Sequence, residues 1–371
     1  MSHKSELAIV TGIFPPDTGG PAKFAESFLD WSANCSRYIS VISLTNDMEV
    51  KNETNGSFIH LISRNQFFIL RFYKSVLQIS KLMRQNTPIL ANGMFFEVLI
   101  ASLFSFKRNY VCKVPGDIVW ERARNSGHTS LDIDKFQITK LSPRYRILRF
   151  LFSKSLKRAK NVIVPSTHLK NLVEQWGVPR RKISLIYNSV NLRQFQPKTS
   201  KINYDVITVC RLVPWKGVDE LIRACAENSL SLAIVGDGPE RRKLENLSSE
   251  IGAMSTFFGD IPQSQLPEIL AQSSCFVLNS NFEATSYALI EARAMGLFSI
   301  ANAKTGSEEV ISDPIDGILC QNGYPDLVTA LKKFREDKKY VENAVIVAKK
   351  RTFELFDMEK NFQRIWDVVV N

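Results

Sequence analysis

Alternation constrains this chain most. Apolar runs too short for helices take turns with segments of helical period along almost its whole length. In the first half Leu7–Gly12, Tyr38–Leu44, Phe58–Ile62, Pro88–Ala91, Tyr110–Lys113, Val162–Val164 and Ile183–Tyr187 read as strands. Between them lie helix-like segments such as Ala22–Ser32, Leu70–Arg84 and Thr167–Trp176. The second half repeats the pattern. Its strands are Val206–Cys210, Leu232–Val235, Thr256–Phe258, Cys275–Leu278 and Phe298–Ile300, and its helices are Val218–Glu227, Pro239–Glu250, Leu266–Ala271 and Tyr287–Met295. Strand–helix alternation predicts parallel sheets covered on both faces, and two such series in 371 residues predict two Rossmann-like domains. The polar stretch Leu192–Asn203, containing Pro197-Lys198-Thr199-Ser200-Lys201, reads as the linker, which sets the domains at 1–195 and 203–355.

A hydrophobic share of 44% and a charged share of 23% exclude a disordered or membrane-embedded chain. Cys35, Cys112, Cys210, Cys225, Cys275 and Cys320 are scattered without a close pair, which argues against a zinc cage or a disulfide framework and fits a reducing compartment. Met1 to Glu6 lead directly into an apolar run with no secretory pattern, so a cytoplasmic protein is expected. His3, His60, His128 and His168 show no ligand spacing.

The net charge of +11 is unevenly spread: residues 1–195 hold 28 basic against 13 acidic side chains, and the remainder holds 20 against 24. The first half therefore faces an anionic partner, with nucleic acid and an anionic membrane surface as the usual candidates. No nucleic-acid-binding motif accompanies the charge, so nucleic acid is not expected. The densest basic stretch, Pro143 to Lys160, interleaves Arg144, Arg146, Arg149, Lys154, Lys157, Arg158 and Lys160 with Ile147, Leu148, Phe150, Leu151, Phe152 and Leu156. A helix here either lies in a membrane interface or packs on a core with a solvated basic face. The apolar stretch from Ile89 to Phe106 is interrupted by Asn92 and Glu97 and reads as a buried strand followed by a helix.

Parallel sheets bind ligands beyond the carboxyl ends of their strands, where helix N-termini offer N–H groups to anions. Four signals fall at such places. In Gly12-Ile13-Phe14-Pro15-Pro16-Asp17-Thr18-Gly19-Gly20-Pro21, the pair Gly19-Gly20 either admits a ligand close to the backbone or makes a plain turn. In Arg211-Leu212-Val213-Pro214-Trp215-Lys216-Gly217, Arg211 and Lys216 either clamp a pyrophosphate or are surface cations. Gly236-Asp237-Gly238-Pro239-Glu240 marks a tight strand-to-helix turn. In Asn279-Ser280-Asn281-Phe282-Glu283-Ala284-Thr285-Ser286, Glu283 lies on a loop and Ser286 is a good N-cap. The amides of Ser286, Tyr287 and Ala288 would then face an anion, with Glu291 further along that helix.

Taken in order, the glycine pair, Arg-x4-Lys, Gly-Asp-Gly-Pro-Glu, and two glutamates separated by seven residues resemble the retaining, GT-B-fold glycosyltransferases of family four. The resemblance implies two Rossmann-like domains facing each other across a cleft, with a C-terminal helix at 356–371 packing back on the first. It implies that Arg211 and Lys216 grip the donor pyrophosphate, that Glu283 touches sugar hydroxyls and that Glu291 accepts from the nucleotide ribose. It also implies that Gly236 and Ile261 line the donor site, Ile261 by backbone contacts to the base. In the first domain the family places a histidine or an acid near the sugar after a middle strand, where this chain has Asp117. The expected partners are a nucleotide-sugar donor, a glycan or glycolipid acceptor and the inner face of an anionic membrane, with no cofactor.

Asp132-Ile133-Asp134 has the D-x-D pattern that binds a metal in the other large glycosyltransferase fold. It sits in a polar stretch away from any strand, so a loop and no required metal are expected. Two other functions share this sequence pattern: a nucleotide-sugar epimerase, which needs no acceptor, and a non-catalytic nucleotide-sugar-binding protein.

Overall fold

A computed structural model describes residues 5–17, 19–47, 50–54, 57–198, 200–303 and 305–371. Thr18 of the glycine loop, Thr199 of the linker and the first four residues lie outside these. The chain divides into two compact units, 1–186 with 359–371, and 187–358.

The first unit is built on an eight-stranded sheet ordered β3-β4-β2-β1-β5-β6-β7-β8. Its strands are β1 (Leu7–Val10), β2 (Ile39–Thr45), β3 (Val50–Thr54), β4 (Ser57–Ser63), β5 (Ile89–Ala91), β6 (Tyr110–Lys113), β7 (Asn161–Val164) and β8 (Ile183–Leu185). All neighbours pair in parallel except β3, which closes the edge as an antiparallel hairpin with β4. Its helices are α1 (Gly20–Asn34), α2 (Phe68–Arg84), α3 (Phe95–Phe104), α4 (Ile118–Asn125), α5 (Ile133–Ile138), α6 (Pro143–Arg158) and α7 (Thr167–Gln175). The stretch 89–106 is thus β5 followed by α3, and the basic stretch is the helix α6.

The second unit carries six parallel strands ordered β11-β10-β9-β12-β13-β14. These are β9 (Tyr204–Val209), β10 (Leu232–Val235), β11 (Ser255–Gly259), β12 (Ser273–Leu278), β13 (Phe298–Asn302) and β14 (Ile318–Cys320). Around them lie α8 (Val218–Glu227), α9 (Arg241–Glu250), α10 (Leu266–Ala271), α11 (Tyr287–Ala294), α12 (Tyr324–Glu336) and α13 (Lys338–Leu355). The last helix, α14 (Met358–Val370), belongs almost entirely to the first unit. The expected α/β architecture of two Rossmann-like domains is present.

Burial explains both sheets. Every residue of β1, β6 and β10 is buried, which requires cover on both faces. In the first unit α1 and α14 meet through Phe24, Phe28, Trp31, Phe362 and Trp366, with ring centroids 5.2–6.2 Å apart. In the second unit one apolar cluster packs Val206, Ile234 and Val277 under α8 and α12, and the other packs Ile207, Phe276 and Leu278 under α11. Phe195 and Phe356 join that second cluster, and Val190 bridges to Asp357, so residues 187–195 belong to the second unit and the boundary falls at Ile186.

Asp132 is the N-cap of α5 and accepts from the Lys135 amide at 2.7 Å, while Asp134 pairs with His168 at 2.8 Å. The D-x-D stretch is therefore a helix start, not a loop. Asp–x–x–Lys geometry satisfied locally outweighs the polar composition of its flanks. No group of metal-ligating side chains occurs among the described residues. Cys35 is exposed, Cys210 is half-buried and the other four cysteines are buried, all free.

A buried ion pair not foreseen from the sequence organises the second unit. Arg293 on α11 is fully buried and meets Asp316 Oδ2 at 2.8 Å, while Arg351 reaches the same oxygen at 3.3 Å. The Ser312 amide donates to Asp316 Oδ1 at 2.7 Å. Arg293→Met strands part of this charge. Because Arg351 and Ser312 still hold Asp316, the cost falls at the low end for a broken buried pair, about 3 kcal/mol. A fall in melting temperature of roughly 6–12 °C should accompany it, and an unchanged transition would contradict the assignment.

Candidate functional site

Strand order reverses in the second sheet between β9 and β12. A reversal splits the flanking helices to opposite faces and opens a crevice at the strands' carboxyl ends. The loops leaving β9 and β12 carry Arg211 to Gly217 and Asn279 to Ser286, so topology alone brings the two motifs together.

The loops are latched to each other. Asn281 N–H donates to the Trp215 carbonyl at 2.9 Å. Asn279 Nδ2 donates at 2.9 Å both to the Gly217 carbonyl and to Glu220 Oε2. Lys216 Nζ makes an ion pair with Glu283 Oε1, the two side chains 17% and 15% exposed. Burial is the strongest single influence and pushes the Lys216 pKa down, but the charge and hydrogen bond of the Glu283 carboxylate together with Cys210 outweigh it, and the net direction is above the usual lysine value. Arg211 is exposed on the same loop.

Neighbouring turns complete this edge. Gly236 sits at φ 122°, and a Cβ there would overlap the Cys210 carbonyl oxygen, so only glycine lets the β10 turn lie against the loop leaving β9. Its amide donates to the Gly259 carbonyl at 2.8 Å, joining the turn after β11 that leads to half-buried Ile261. Ser286 caps α11, accepting from the Leu289 amide at 3.4 Å. This cap puts the positive end of the α11 dipole, at Tyr287 and Ala288, on the carboxyl edge of the sheet. Tyr287 Oη donates to Asn188 Oδ1 at 3.3 Å, while Asn188 Nδ2 donates to the Thr285 carbonyl at 2.9 Å. Glu291 is buried, and its Oε1 accepts from Gln263 Nε2 at 2.8 Å, which ties α11 to the loop after Ile261.

Sequence reasoning missed Asn279, Gln263 and Asn188. Asn279 had a signal, an asparagine directly after a buried strand. Gln263 and Asn188 had none, because only the fold brings them to Glu291 and Tyr287.

In the first unit Gly19 precedes α1 at φ 140° and Gly20 opens the helix, beyond the carboxyl end of β1. Asp17 is held by Arg64 at 2.7 Å, and Asn92 Nδ2 donates to the Pro21 carbonyl at 2.9 Å. Asp117 is another matter. Its side chain is fully buried: Oδ1 accepts from the Val119 and Trp120 amides at 2.9 and 3.3 Å, and Oδ2 from Arg149 at 2.6 Å and Gln137 at 3.0 Å. Gln137 in turn accepts from Trp176 Nε1 at 2.9 Å. Asp117 caps α4 and anchors α5, α6 and α7 to it, so in the free chain its carboxylate is held by these partners.

Residues 191–351 match the family described as glycosyl transferases group 1, and residues 126–194 match glycosyltransferase family 4. A phosphatidylinositol N-acetylglucosaminyltransferase component from Arabidopsis thaliana is 28% identical over 46% of this chain and 40% of its own length. The lipopolysaccharide core biosynthesis glycosyltransferase LpsD of Rhizobium meliloti is 30% identical over 43% of this chain and 48% of its own. The chain thus spans less than half the length of these relatives. Among solved structures, Anabaena Alr3699/HepE in complex with UDP superposes with a TM-score of 0.77 at 18% identity, covering 98% of this chain and 99% of that one.

Proposed function

Because the chain belongs to the group 1, family-four type of GT-B glycosyltransferases, we propose that it is a retaining hexosyltransferase. It would move a hexose-type sugar from a nucleoside-diphosphate donor to a glycan or glycolipid acceptor. The observation that carries this reading is the Lys216–Glu283 pair, held on two mutually latched loops at the reversal of strand order. A cation for phosphate and a carboxylate for sugar hydroxyls stand side by side there. The relatives' names, one a phosphatidylinositol enzyme and one a lipopolysaccharide enzyme, support an acceptor in polysaccharide or cell-envelope glycan synthesis. The basic surplus of the first half supports work against the inner, anionic face of a membrane.

In this mechanism the bond between the anomeric carbon and the β-phosphate oxygen breaks while the acceptor oxygen bonds to that carbon from the same face. The acceptor proton passes to the departing phosphate oxygen. Arg211, Lys216 and the N-terminus of α11 at Ser286, Tyr287 and Ala288 neutralise the charge that grows on the leaving diphosphate. Glu283 holds sugar hydroxyls, Glu291 accepts from the ribose, and the turns at Gly236 and Ile261 seat the nucleoside. Gly19 and Gly20 in the first unit would offer backbone amides to sugar or phosphate oxygens. Two cations and a helix dipole replace a divalent metal, so chelation should leave the rate unchanged.

A donor screen tests the reading. Thermal stabilisation of the full chain by one of the UDP, GDP or ADP series, abolished in Lys216→Ala, is expected, followed by slow donor hydrolysis and by transfer once an acceptor is added. An isomerised sugar without acceptor would mark an epimerase, and stabilisation with no turnover under any acceptor would mark a binding protein. No shift with any series would remove the donor site.

A further inference from the structure

Glu291 presents its carboxylate from an apolar wall. It is 1% exposed, and Leu289, Ile290, Ala292 and Ala294 beside it on α11 are buried in one apolar cluster. A carboxylate so placed needs hydrogen-bond donors to hold it. If its rotamer is left loose, a ligand must order it on binding, at a cost in side-chain entropy. Gln263 supplies a donor, its Nε2 lying 2.8 Å from Glu291 Oε1. Packing brings the two together: Gln263 precedes α10, and Leu266 and Leu270 of α10 share the cluster with Leu289 and Ile290 of α11.

The kind of donor matters. Lys216 meets Glu283 with a full charge and competes with any ligand for that carboxylate. A glutamine amide is neutral, so it orients Glu291 without cancelling its charge. A carboxylate has about four acceptor sites, which is room for the amide and for two ribose hydroxyls. The backbone around Gln263 is fixed by other bonds. The Gln265 amide donates to the Pro262 carbonyl at 2.9 Å, Gln194 Nε2 to the Gln263 carbonyl at 3.4 Å, and the Gly236 amide to the Gly259 carbonyl at 2.8 Å. Ile261 packs on the same apolar cluster. The side-chain amide of Gln263 is therefore not needed to hold the loop, and its bond acts on the carboxylate. We propose that Gln263 is the positioning residue for the nucleotide ribose. It holds Glu291 in the rotamer that accepts from the ribose hydroxyls, and so sets how strongly the chain prefers a ribonucleotide to its deoxy form. This rests on the donor site of the proposed function and adds the residue that tunes it.

Calorimetric titration of the full chain with UDP, GDP and ADP, each beside its 2′,3′-dideoxy form, tests this. The parent should bind the ribonucleotide of one series about 10- to 100-fold tighter than the dideoxy form, the usual loss for hydrogen bonds to a charged group. Gln263→Met keeps the length of the side chain and removes the donor. Because Gln263 is exposed, this variant should melt like the parent. It should weaken the ribonucleotide about five- to tenfold and leave the dideoxy form within about twofold. Glu291→Ala removes the group on which Gln263 acts, so adding Gln263→Met to it should move neither affinity by more than about twofold. In transfer assays the loss from Gln263→Met should fall on the donor KM with kcat kept, since the ribose is held alike in the ground and transition states. Equal weakening of both nucleotide forms, or an unchanged ribonucleotide affinity, overturns the proposal and leaves the donor site standing. So does an effect of Gln263→Met that persists in Glu291→Ala. A parent that binds none of the three nucleotides removes the donor site itself, and the proposal with it.

Discussion

Glu283→Ala should lower kcat/KM for sugar transfer by about 30- to 1000-fold, or about 2–4 kcal/mol of transition-state stabilisation. The reason is preorganisation. The Glu283 carbonyl accepts from the Gly306 amide at 2.7 Å, and Gly306 lies so close to the Ala284 carbonyl that a Cβ would overlap it. On the other side Asn281 is bonded to Trp215 and the carboxylate to Lys216. The carboxylate thus waits in place, and little reorganisation is left for the moment when the sugar–phosphate bond opens. Removing it also releases Lys216, which sharpens the test. Nucleoside-diphosphate affinity should hold or rise in Glu283→Ala because the ammonium has lost its competitor, while the transfer rate falls. Glu283→Gln keeps the shape and should lie between the two in rate. A transfer rate equal to the parent's would remove Glu283 from the reaction, and a parallel loss of nucleotide affinity would mean that the loop itself had collapsed.

The architecture was legible because fully buried strands can hardly be written otherwise. Tyr110–Lys113 and Leu232–Val235 are strands at the boundaries their apolar runs predict, and Val218–Glu227 and Leu266–Ala271 are likewise the helices expected. The edge strands were not legible. Val50–Thr54 is polar and pairs on one side only, and Ile318–Cys320 has three residues, so neither leaves a periodic signal. The site was legible in its loops and illegible in its supports. Arg211, Lys216 and Glu283 stand where glycine and proline punctuate strand ends, a local pattern. The partner of Glu291 is a glutamine 28 positions away, and nothing in the sequence pairs them. Asp117 shows the opposite case. The family resemblance set it near the sugar, and an aspartate followed by a helical segment is also an N-cap, whose carboxylate local amides and Arg149 engage.

Lys113→Met should stabilise the first unit by about 3–5 kcal/mol near pH 6.5, with a gain that shrinks to about 1–2 kcal/mol near pH 9.5. Lys113 ends β6 and is 3% exposed, with its ammonium 4.3 Å from the centre of the Phe24 ring. Burial pushes its pKa down from 10.5 to about 7, and the ring face offsets only part of that cost. Below about pH 7 the lysine is charged in both the folded and the unfolded chain, so the fold bears the full penalty of burying an ammonium. Between about pH 7 and 10.5 the unfolded chain holds a proton that the folded one has released, so stability rises with pH. Above 10.5 both are neutral and the penalty is gone. Methionine matches the stem in volume and carries no charge, so it removes the penalty without leaving a cavity. Urea unfolding of parent and variant at the two pH values isolates this side chain, because every other titration cancels in the difference. A gap of the same size at both would mean that Lys113 is charged in the fold throughout, stabilised by its surroundings, and that the carboxyl end of β6 tolerates a cation where its burial argues against one.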